Sequence, residues 1–72
     1  MHYYEKLKEI REDLDMSQTA VANQLGTTQQ QIYKYENGKQ EMTVSKLKEL
    51  CILYKVSADY ILGLPKDLKW QR

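Results

Sequence analysis

The sequence of 72 residues contains one cysteine, one proline, one histidine and three glycines, and these scarcities exclude several classes of protein. Cys51 has no second cysteine with which to form an internal disulfide, and neither Cys51 nor His2 has a partner at the spacing of a metal site. There is no glycine-rich phosphate loop, and no nucleophile and base are spaced for catalysis. The sequence therefore predicts a protein that is not an enzyme, takes no metal or cofactor and is stabilised by packing alone.

Long apolar runs are also absent. The longest run, Cys51-Ile52-Leu53-Tyr54, is far short of the roughly 20 residues that cross a bilayer. The first residues lack the apolar segment of a signal peptide. No stretch shows the alternation of polar and apolar residues that is typical of a strand. We therefore expect an all-α, cytoplasmic protein without a membrane partner.

The size and charge of the chain favour a small binding module. A chain of 72 residues forms one domain, which is too small for a deep enzyme cleft. The net charge is only +1, but it is unevenly distributed. Residues 1–16 contain three basic and five acidic side chains, whereas residues 17–48 contain four basic and two acidic ones. A basic middle segment is a modest indication of an anionic partner, and a solvated face of mixed charge explains it equally well.

Apolar residues at spacings of three and four predict five helices. The first, residues 2–14, has its apolar stripe at Tyr3, Leu7, Ile10 and Leu14. The second, residues 18–25, begins after the N-cap Ser17 and ends at Gly26. The third, residues 29–36, begins after Thr28 and ends at Asn37-Gly38.

The last two helices are predicted from the same signals. The fourth, residues 43–54, has its stripe at Val44, Leu47, Leu50, Cys51 and Tyr54. The fifth begins at Ser57, has Asp59 in its first turn, and stops at Gly63 and Pro65. The predicted domain thus covers residues 1–64, followed by a short tail, 65–72.

The second and third helices have the pattern of a helix-turn-helix motif, in the segment SQTAVANQLGTTQQQIYKYENGK (17–39). Counted from Gln18, the fifth residue is Ala22, which is small where two helices cross closely, and the ninth is Gly26, at the turn. The predicted inward residues are Val21, Leu25, Ile32 and Tyr35. Together these positions favour a helix-turn-helix motif, whose second helix enters the major groove, over a generic helical hairpin.

With the segments TVSKLKELCILYKV (43–56) and VSADYILGL (56–64), this motif resembles the Cro/C1-type (XRE-like) helix-turn-helix family. That family includes lambdoid phage repressors. The segments LGTTQQ and ENGK of this sequence closely resemble the corresponding parts of the repressor motif. The resemblance implies a compact five-helix, lambda-repressor-like domain. It also implies a regulator that binds an operator in double-stranded DNA as a homodimer, associated with the nucleoid, with repression as the leading hypothesis.

The resemblance places Gln29 and Gln30 at the exposed start of the recognition helix, where they are candidates for base contacts. A glutamine amide offers a donor and an acceptor that match the N6 and N7 atoms of adenine, a pairing worth about 1–3 kcal/mol of discrimination. Lys34 shares the face of Gln30 and is a candidate for a guanine edge or a phosphate. Tyr33 is a further candidate, for a phosphate or a thymine methyl group, although an ordinary exposed tyrosine is an equal alternative.

Other residues are expected to position the DNA or the helix. The resemblance places Gln18 beside the sugar-phosphate backbone, with its side chain able to brace a residue of the third helix. The further candidates for phosphate contacts are Thr27, Thr28, Asn37 and Lys39. The expected helix caps are Ser17, Thr28 and Gln31, with Gln31 completing a capping box by turning back to the amide of Thr28. Glu36 is expected to support the end of the third helix.

The apolar residues outside the core stripe suggest a two-fold interface. The candidates are Ile52, Leu53, Ile61, Leu64 and Trp70. The alternative is that Ile61 and Leu62 close the core of the monomer. A second hypothesis for function is an antitoxin-like or adaptor protein whose main role is to bind a partner protein, with DNA binding for autoregulation. A third is a helical adaptor that does not bind DNA.

Overall fold

The computed structural model describes residues 1–64, which form five α-helices and no strand. The helices are α1 (Tyr3–Asp13), α2 (Gln18–Leu25), α3 (Gln29–Glu36), α4 (Val44–Tyr54) and α5 (Ala58–Leu62). The predicted all-α, five-helix fold is therefore confirmed. None of these helices has the length and apolar character needed to cross a bilayer.

The ends of the helices follow from local chemistry. Four of them begin at a serine or threonine whose hydroxyl oxygen accepts a hydrogen bond from a backbone amide three residues later, at 3.0–3.2 Å. These N-cap residues are Ser17, Thr28, Thr43 and Ser57. Each such cap contributes about 1 kcal/mol to stability. Because the caps depend only on neighbouring residues, the predicted bounds of α2 and α3 agree with the structure.

The core lies where α1 packs against α3, α4 and α5, with α2 packed on α3. Its buried residues are Leu7, Val21, Ala22, Ile32, Tyr35, Leu50, Cys51, Tyr54 and Ile61. Tyr35 and Cys51 were both predicted as core residues, and both predictions are confirmed. Helix α3 contributes its inner face to this core. Contacts with α1 and α2 therefore set the position of α3.

Two residues of the predicted apolar stripes point outward instead. Leu14 is 48% exposed because α1 ends at Asp13, so the residue after it leaves the helical register. The buried position in the last turn of α1 is taken by Arg11. Val44 is 84% exposed because it is the first residue of α4, directly after the cap Thr43, at the edge of the core.

Candidate nucleic-acid interface

The turn between α2 and α3 is built from three local features. Gly26 ends α2 with φ of 68°, a left-handed conformation that favours glycine. The amide of Thr27 donates to the carbonyl oxygen of Ala22 (2.9 Å). Thr28 Oγ1 accepts from the amide of Gln31 (3.2 Å) and starts α3. Ala22 is buried at this junction, where its small side chain lets the helices approach, and the predicted helix-turn-helix is confirmed.

The outward face of α3 is polar. The four predicted base-reading residues are all exposed: Gln29, Gln30, Tyr33 and Lys34. Residues three and four positions apart on a helix are neighbours, so Gln30, Tyr33 and Lys34 form one continuous surface. The structure therefore brings these side chains together on the face of α3 opposite the core.

Gln29 is held in place by Gln18. The Gln29 Nε2 atom donates to Gln18 Oε1 (2.6 Å), and Gln18 Nε2 donates to Glu36 Oε1 (3.0 Å). The prediction that Gln18 braces a residue of the third helix is confirmed. After this bond the Gln29 amide keeps its second N–H and an oxygen with free lone pairs. It therefore keeps both a donor and an acceptor.

A buried ion pair lies behind the two glutamines, and sequence reasoning missed it. Arg11 Nε donates to Glu36 Oε2 (2.7 Å), and Arg11 Nη2 donates to Glu36 Oε1 (3.1 Å). Arg11 Nη1 also donates to the carbonyl oxygen of Met16 (2.7 Å). The hydrogen bond with Glu36 raises the pKa of Arg11, against a lowering by burial. The pair ties α1 to the end of α3, which agrees with the expected supporting role of Glu36.

These contacts form one chain of hydrogen bonds that crosses three helices. It runs from Arg11 on α1 through Glu36 on α3 and Gln18 on α2 to Gln29 at the start of α3. Hydrogen bonds to ionised groups are shorter and stronger than neutral ones, and they constrain direction. These linked hydrogen bonds therefore fix the exposed amide of Gln29 relative to the core.

The predicted capping box of α3 is half wrong. Thr28 supplies the expected cap to the Gln31 amide, but the Gln31 side chain makes no return bond to Thr28. The Gln31 Nε2 atom is instead buried, and it is the one buried side-chain polar atom of residues 1–64 without a hydrogen-bond partner. Because Gln31 lies four positions before Tyr35, its side chain follows the flank of α3 that meets the core rather than the helix start.

The predicted phosphate contacts lie in two groups, at the two ends of α3. Gln18, Thr27 and Thr28 surround the start of the helix, and Asn37 and Lys39 follow its end. Thr28, Asn37 and Lys39 are exposed, whereas Gln18 and Thr27 are half-buried. The Asn37 Nδ2 atom donates to the carbonyl oxygen of Tyr33 (2.9 Å), which closes the last turn of α3.

The predicted dimer residues have different positions in the structure. Ile52 is 66% exposed and Leu64 is also exposed, whereas Leu53 is half-buried against the core. Ile61 is 1% exposed, so its assignment to an interface is wrong. It closes the core of the monomer because α5 presents it to α1 and α4. Trp70 lies outside the described residues.

Comparison with known proteins places this geometry in a family. A family model described as helix-turn-helix matches residues 7–61. The structure is similar to that of the P22 c2 repressor protein solved in complex with a synthetic operator, with a TM-score of 0.79 and 24% identity. The similarity covers 86% of this chain and 94% of that one, and it shows a shared fold.

Two curated relatives carry descriptions as uncharacterized HTH-type transcriptional regulators. YobD of Bacillus subtilis is 32% identical over 65 residues, which is 90% of this chain and 58% of YobD. The protein y4wC of Sinorhizobium fredii is 32% identical over 59 residues, which is 82% of this chain and 41% of y4wC. The chain thus spans about half the length of these relatives.

The match to the helix-turn-helix model covers most of the chain and includes α2, the turn and α3. Members of this family are DNA-binding regulators rather than enzymes, so the prediction of a non-enzymatic protein is confirmed. The chain belongs to the Cro/C1-type helix-turn-helix family of DNA-binding transcriptional regulators.

Proposed function

We propose that this chain binds double-stranded DNA in a sequence-specific way, with α3 in the major groove, and regulates transcription in the bacterial cytoplasm. The observation that carries this proposal is the hydrogen-bond chain from Arg11 to Gln29. It holds a polar, exposed side chain in a fixed direction at the start of α3. A base-reading residue needs such a fixed direction, because a bidentate contact tolerates little angular error.

Gln29 and Gln30 are proposed to read base edges. Gln29 keeps one N–H and one oxygen free beside its bond to Gln18, which matches the donor and acceptor set of adenine. Gln30 is exposed on the next position of the same helix, and Lys34 follows it one turn later. Tyr33, exposed on the adjacent position, is proposed to contact a phosphate or a thymine methyl group.

Gln18, Thr27, Thr28, Asn37 and Lys39 are proposed to contact the phosphate backbone. Their location at both ends of α3 supports this role, because a helix lying in the major groove has a phosphate strand near each of its ends. Such contacts set the register of the protein on the duplex and carry no sequence information. We expect their substitution to weaken binding to all sequences by a similar factor.

Selection of bound sites from a random pool of DNA tests the reading surface. Gln29→Ala and Gln30→Ala are each expected to relax the preference at one base pair, by about 1–3 kcal/mol of discrimination. Gln24→Ala is the matched control, since Gln24 is an exposed glutamine of α2 that lies beside Leu25 and Glu49, on the α4 side. An unchanged site preference in both variants, or binding that does not weaken with salt, would refute this assignment.

We propose further that the chain acts as a homodimer that represses transcription from a two-fold operator. Two exposed apolar side chains support this proposal, since they offer a surface to which a second copy can bind. They are Ile52 on α4 and Leu64, two residues after α5. Two copies place two recognition helices about 34 Å apart on one face of DNA. Repression requires an operator that overlaps a promoter, which a reporter gene downstream of the selected site tests.

Ile52→Lys tests the dimer. We expect a monomer in sedimentation experiments, weaker operator binding and an unchanged unfolding midpoint, because Ile52 is outside the core. Leu14→Lys is the control, since Leu14 is an exposed apolar residue directly after α1. A dimer that survives Ile52→Lys would place the interface elsewhere. Loss of binding to a protein encoded by a neighbouring gene, with operator binding intact, would favour the antitoxin-like or adaptor function.

A further inference from the structure

The ring of Tyr4, at the start of α1, lies across the backbone of Gly38, in the turn after α3. Gly38 has φ of 68°, and a Cβ atom built on it would lie 2.6 Å from Tyr4 Cζ and 2.7 Å from the Tyr4 hydroxyl oxygen. Since a Cα–Cβ bond is about 1.5 Å long, the hydroxyl lies within about 4.2 Å of the Gly38 Cα atom. The absence of a side chain at Gly38 is therefore what makes room for the tyrosine.

Two aromatic neighbours hold the Tyr4 ring in this position. It stacks on His2, with ring centroids 5.0 Å apart and an interplanar angle of 7°. It also meets Tyr3 edge to face, at 5.4 Å and 84°. Aromatic pairs in these arrangements contribute stability beyond the area that they bury. The position of the hydroxyl is thus determined by the ring packing and by the Gly38 backbone.

The Tyr4 hydroxyl is available to a ligand. It has no hydrogen-bond partner within residues 1–64, and the one buried polar side-chain atom there that lacks a partner belongs to Gln31. The Tyr4 hydroxyl is therefore accessible to solvent, although the residue as a whole is half-buried. A tyrosine hydroxyl that is rigidly placed and open to solvent is ready to donate a hydrogen bond to an oxygen of a partner.

The location of the hydroxyl indicates which partner it meets. Gly38 stands between Asn37 and Lys39, the two proposed phosphate contacts at the end of α3. A phosphate bound by these residues lies within reach of the Tyr4 hydroxyl, which is within about 4.2 Å of the Gly38 Cα atom. Tyr4 and Asn37 also line one groove, in which the carboxylates of Glu5, Glu9 and Glu12 outnumber the single cation, Lys8, and repel an anion. A phosphate is therefore expected to approach Tyr4 from the Gly38 side.

We propose that Tyr4 is a DNA-backbone contact: its hydroxyl donates a hydrogen bond to the phosphate held by Asn37 and Lys39. This proposal rests on the proposed function and adds α1 to the DNA interface. A neutral hydroxyl strengthens binding without displacing a counterion. It therefore acts on affinity and register, and it does not contribute to the salt dependence of binding or to the choice of sequence.

Tyr4→Phe is the test, because it removes the hydroxyl and keeps the ring that packs on Gly38. With a random-sequence duplex and with a selected operator, we expect the affinity to fall by a similar factor, about three- to tenfold, as for the loss of one hydrogen bond. The slope of log affinity against log salt is expected to stay the same, whereas Lys39→Ala lowers it by about one. Tyr3→Phe, a neighbouring half-buried tyrosine, is the matched control.

Interference by phosphate ethylation supplies a readout that a packing role does not affect. In the wild-type complex, ethylation of the phosphate beside Tyr4 is expected to weaken binding, and in Tyr4→Phe that effect is expected to diminish at this phosphate alone. Equal affinity of Tyr4→Phe and wild type would overturn the inference and leave the proposed function standing. Wild-type protein that fails to bind either duplex would overturn both.

Discussion

Helices α3 and α4 differ in that only α4 exposes aliphatic side chains and only α3 buries a charged one. The exposed side chains of α3 are polar or amphipathic, such as Gln30 and Lys34, whereas α4 exposes Val44 and Ile52. On its buried side α3 places the carboxylate of Glu36, paired with Arg11 of α1. The buried residues of α4 are Leu50, Cys51 and Tyr54.

The way in which each helix is anchored suits it to a different kind of contact. Apolar packing is non-directional and tolerates small rotations, whereas charge-assisted hydrogen bonds specify both distance and angle. A helix that reads bases needs a fixed rotation about its axis, and the bonds from Glu36 to Arg11 and Gln18 provide it for α3. The ion pair of α4, Lys46 with Glu49 at 3.2 Å, joins partly exposed side chains and fixes little.

The largest predicted effect follows from breaking the anchor of α3. Arg11→Met leaves the Glu36 carboxylate buried without its partner, which costs about 3–5 kcal/mol of the free energy of unfolding. Urea unfolding monitored by circular dichroism measures this loss. Lys46→Met breaks the exposed pair of α4 and is expected to cost less than about 1 kcal/mol. Similar losses in the two variants would remove the distinction between the two helices.

A double substitution separates the charge from the packing. Arg11→Met combined with Glu36→Met replaces the buried pair with apolar side chains, and it is expected to recover most of the lost stability. It also removes the acceptor of the Gln18 amide, so we expect the discrimination between bases by Gln29 to be impaired even though the stability is recovered. A stable double variant with wild-type sequence preference would show that the ion pair does not orient the reading surface.

The next effect concerns the turn that follows α3. Gly38→Ala places a side chain on a residue with φ of 68°, where it is strained, and puts its Cβ atom 2.6 Å from the ring of Tyr4. The substitution is expected to cost about 2–4 kcal/mol. Gly26→Ala, in the turn before α3, has the same φ of 68° but nothing within 4 Å of the added Cβ, so only the backbone cost of about 1–2 kcal/mol applies. Thermal unfolding of the two variants gives the comparison. Equal losses would mean that the Tyr4 contact yields without cost.

The outline of α3 could be predicted from the sequence because its signals are local. Thr28, the spacing of Ile32 and Tyr35, and Asn37-Gly38 are all read from neighbouring residues, and the exposure of Gln29 and Gln30 follows from that spacing. The buried charges could not be placed in the same way, since Arg11 and Glu36 are 25 residues apart in sequence and meet only after α1 packs on α3.

A partial signal for the ion pair was nevertheless present. Arg11 follows Leu7 by four residues, and Glu36 follows Ile32 by four, so each charge continues a buried stripe. Two opposite charges on buried stripes of different helices predict a buried pair. The error at Ile61 has another cause: the short helix α5 gives too few residues to establish which of its faces is inward.

Tyr54 lies where α4 approaches the anchor of α3, and it predicts a loss of stability at high pH. Burial raises the pKa of Tyr54, and the Glu36 carboxylate raises it further, against a lowering by Arg11. Below pH of about 10 the hydroxyl is neutral in both states, so its contribution to stability is constant there. Above that pH the unfolded chain loses the proton first, and stability falls by up to about 1.4 kcal/mol per pH unit.

Urea midpoints measured between pH 8 and pH 11 test this effect. Tyr54→Phe has no hydroxyl to titrate, so its midpoint is expected to fall less steeply above pH of about 10. The two proteins differ only at this hydroxyl, so the comparison isolates its contribution. Parallel curves would mean that Tyr54 ionises as easily in the folded protein as in the unfolded chain.

The smallest predicted effect is a gain in stability at Gln31, which holds the one buried side-chain polar atom of residues 1–64 that lacks a partner. Gln31→Met keeps the length of the side chain and its helix propensity but removes the buried donor, so we expect about 1 kcal/mol of added stability. Gln24→Met on the exposed face of α2 is the control and is expected to change little. Because Gln31 lies off the outward face of α3, its substitution is also expected to leave the selected DNA sequence unchanged. A lower unfolding midpoint, or an altered site preference, would mean that the Gln31 amide finds a partner in the free or the bound protein.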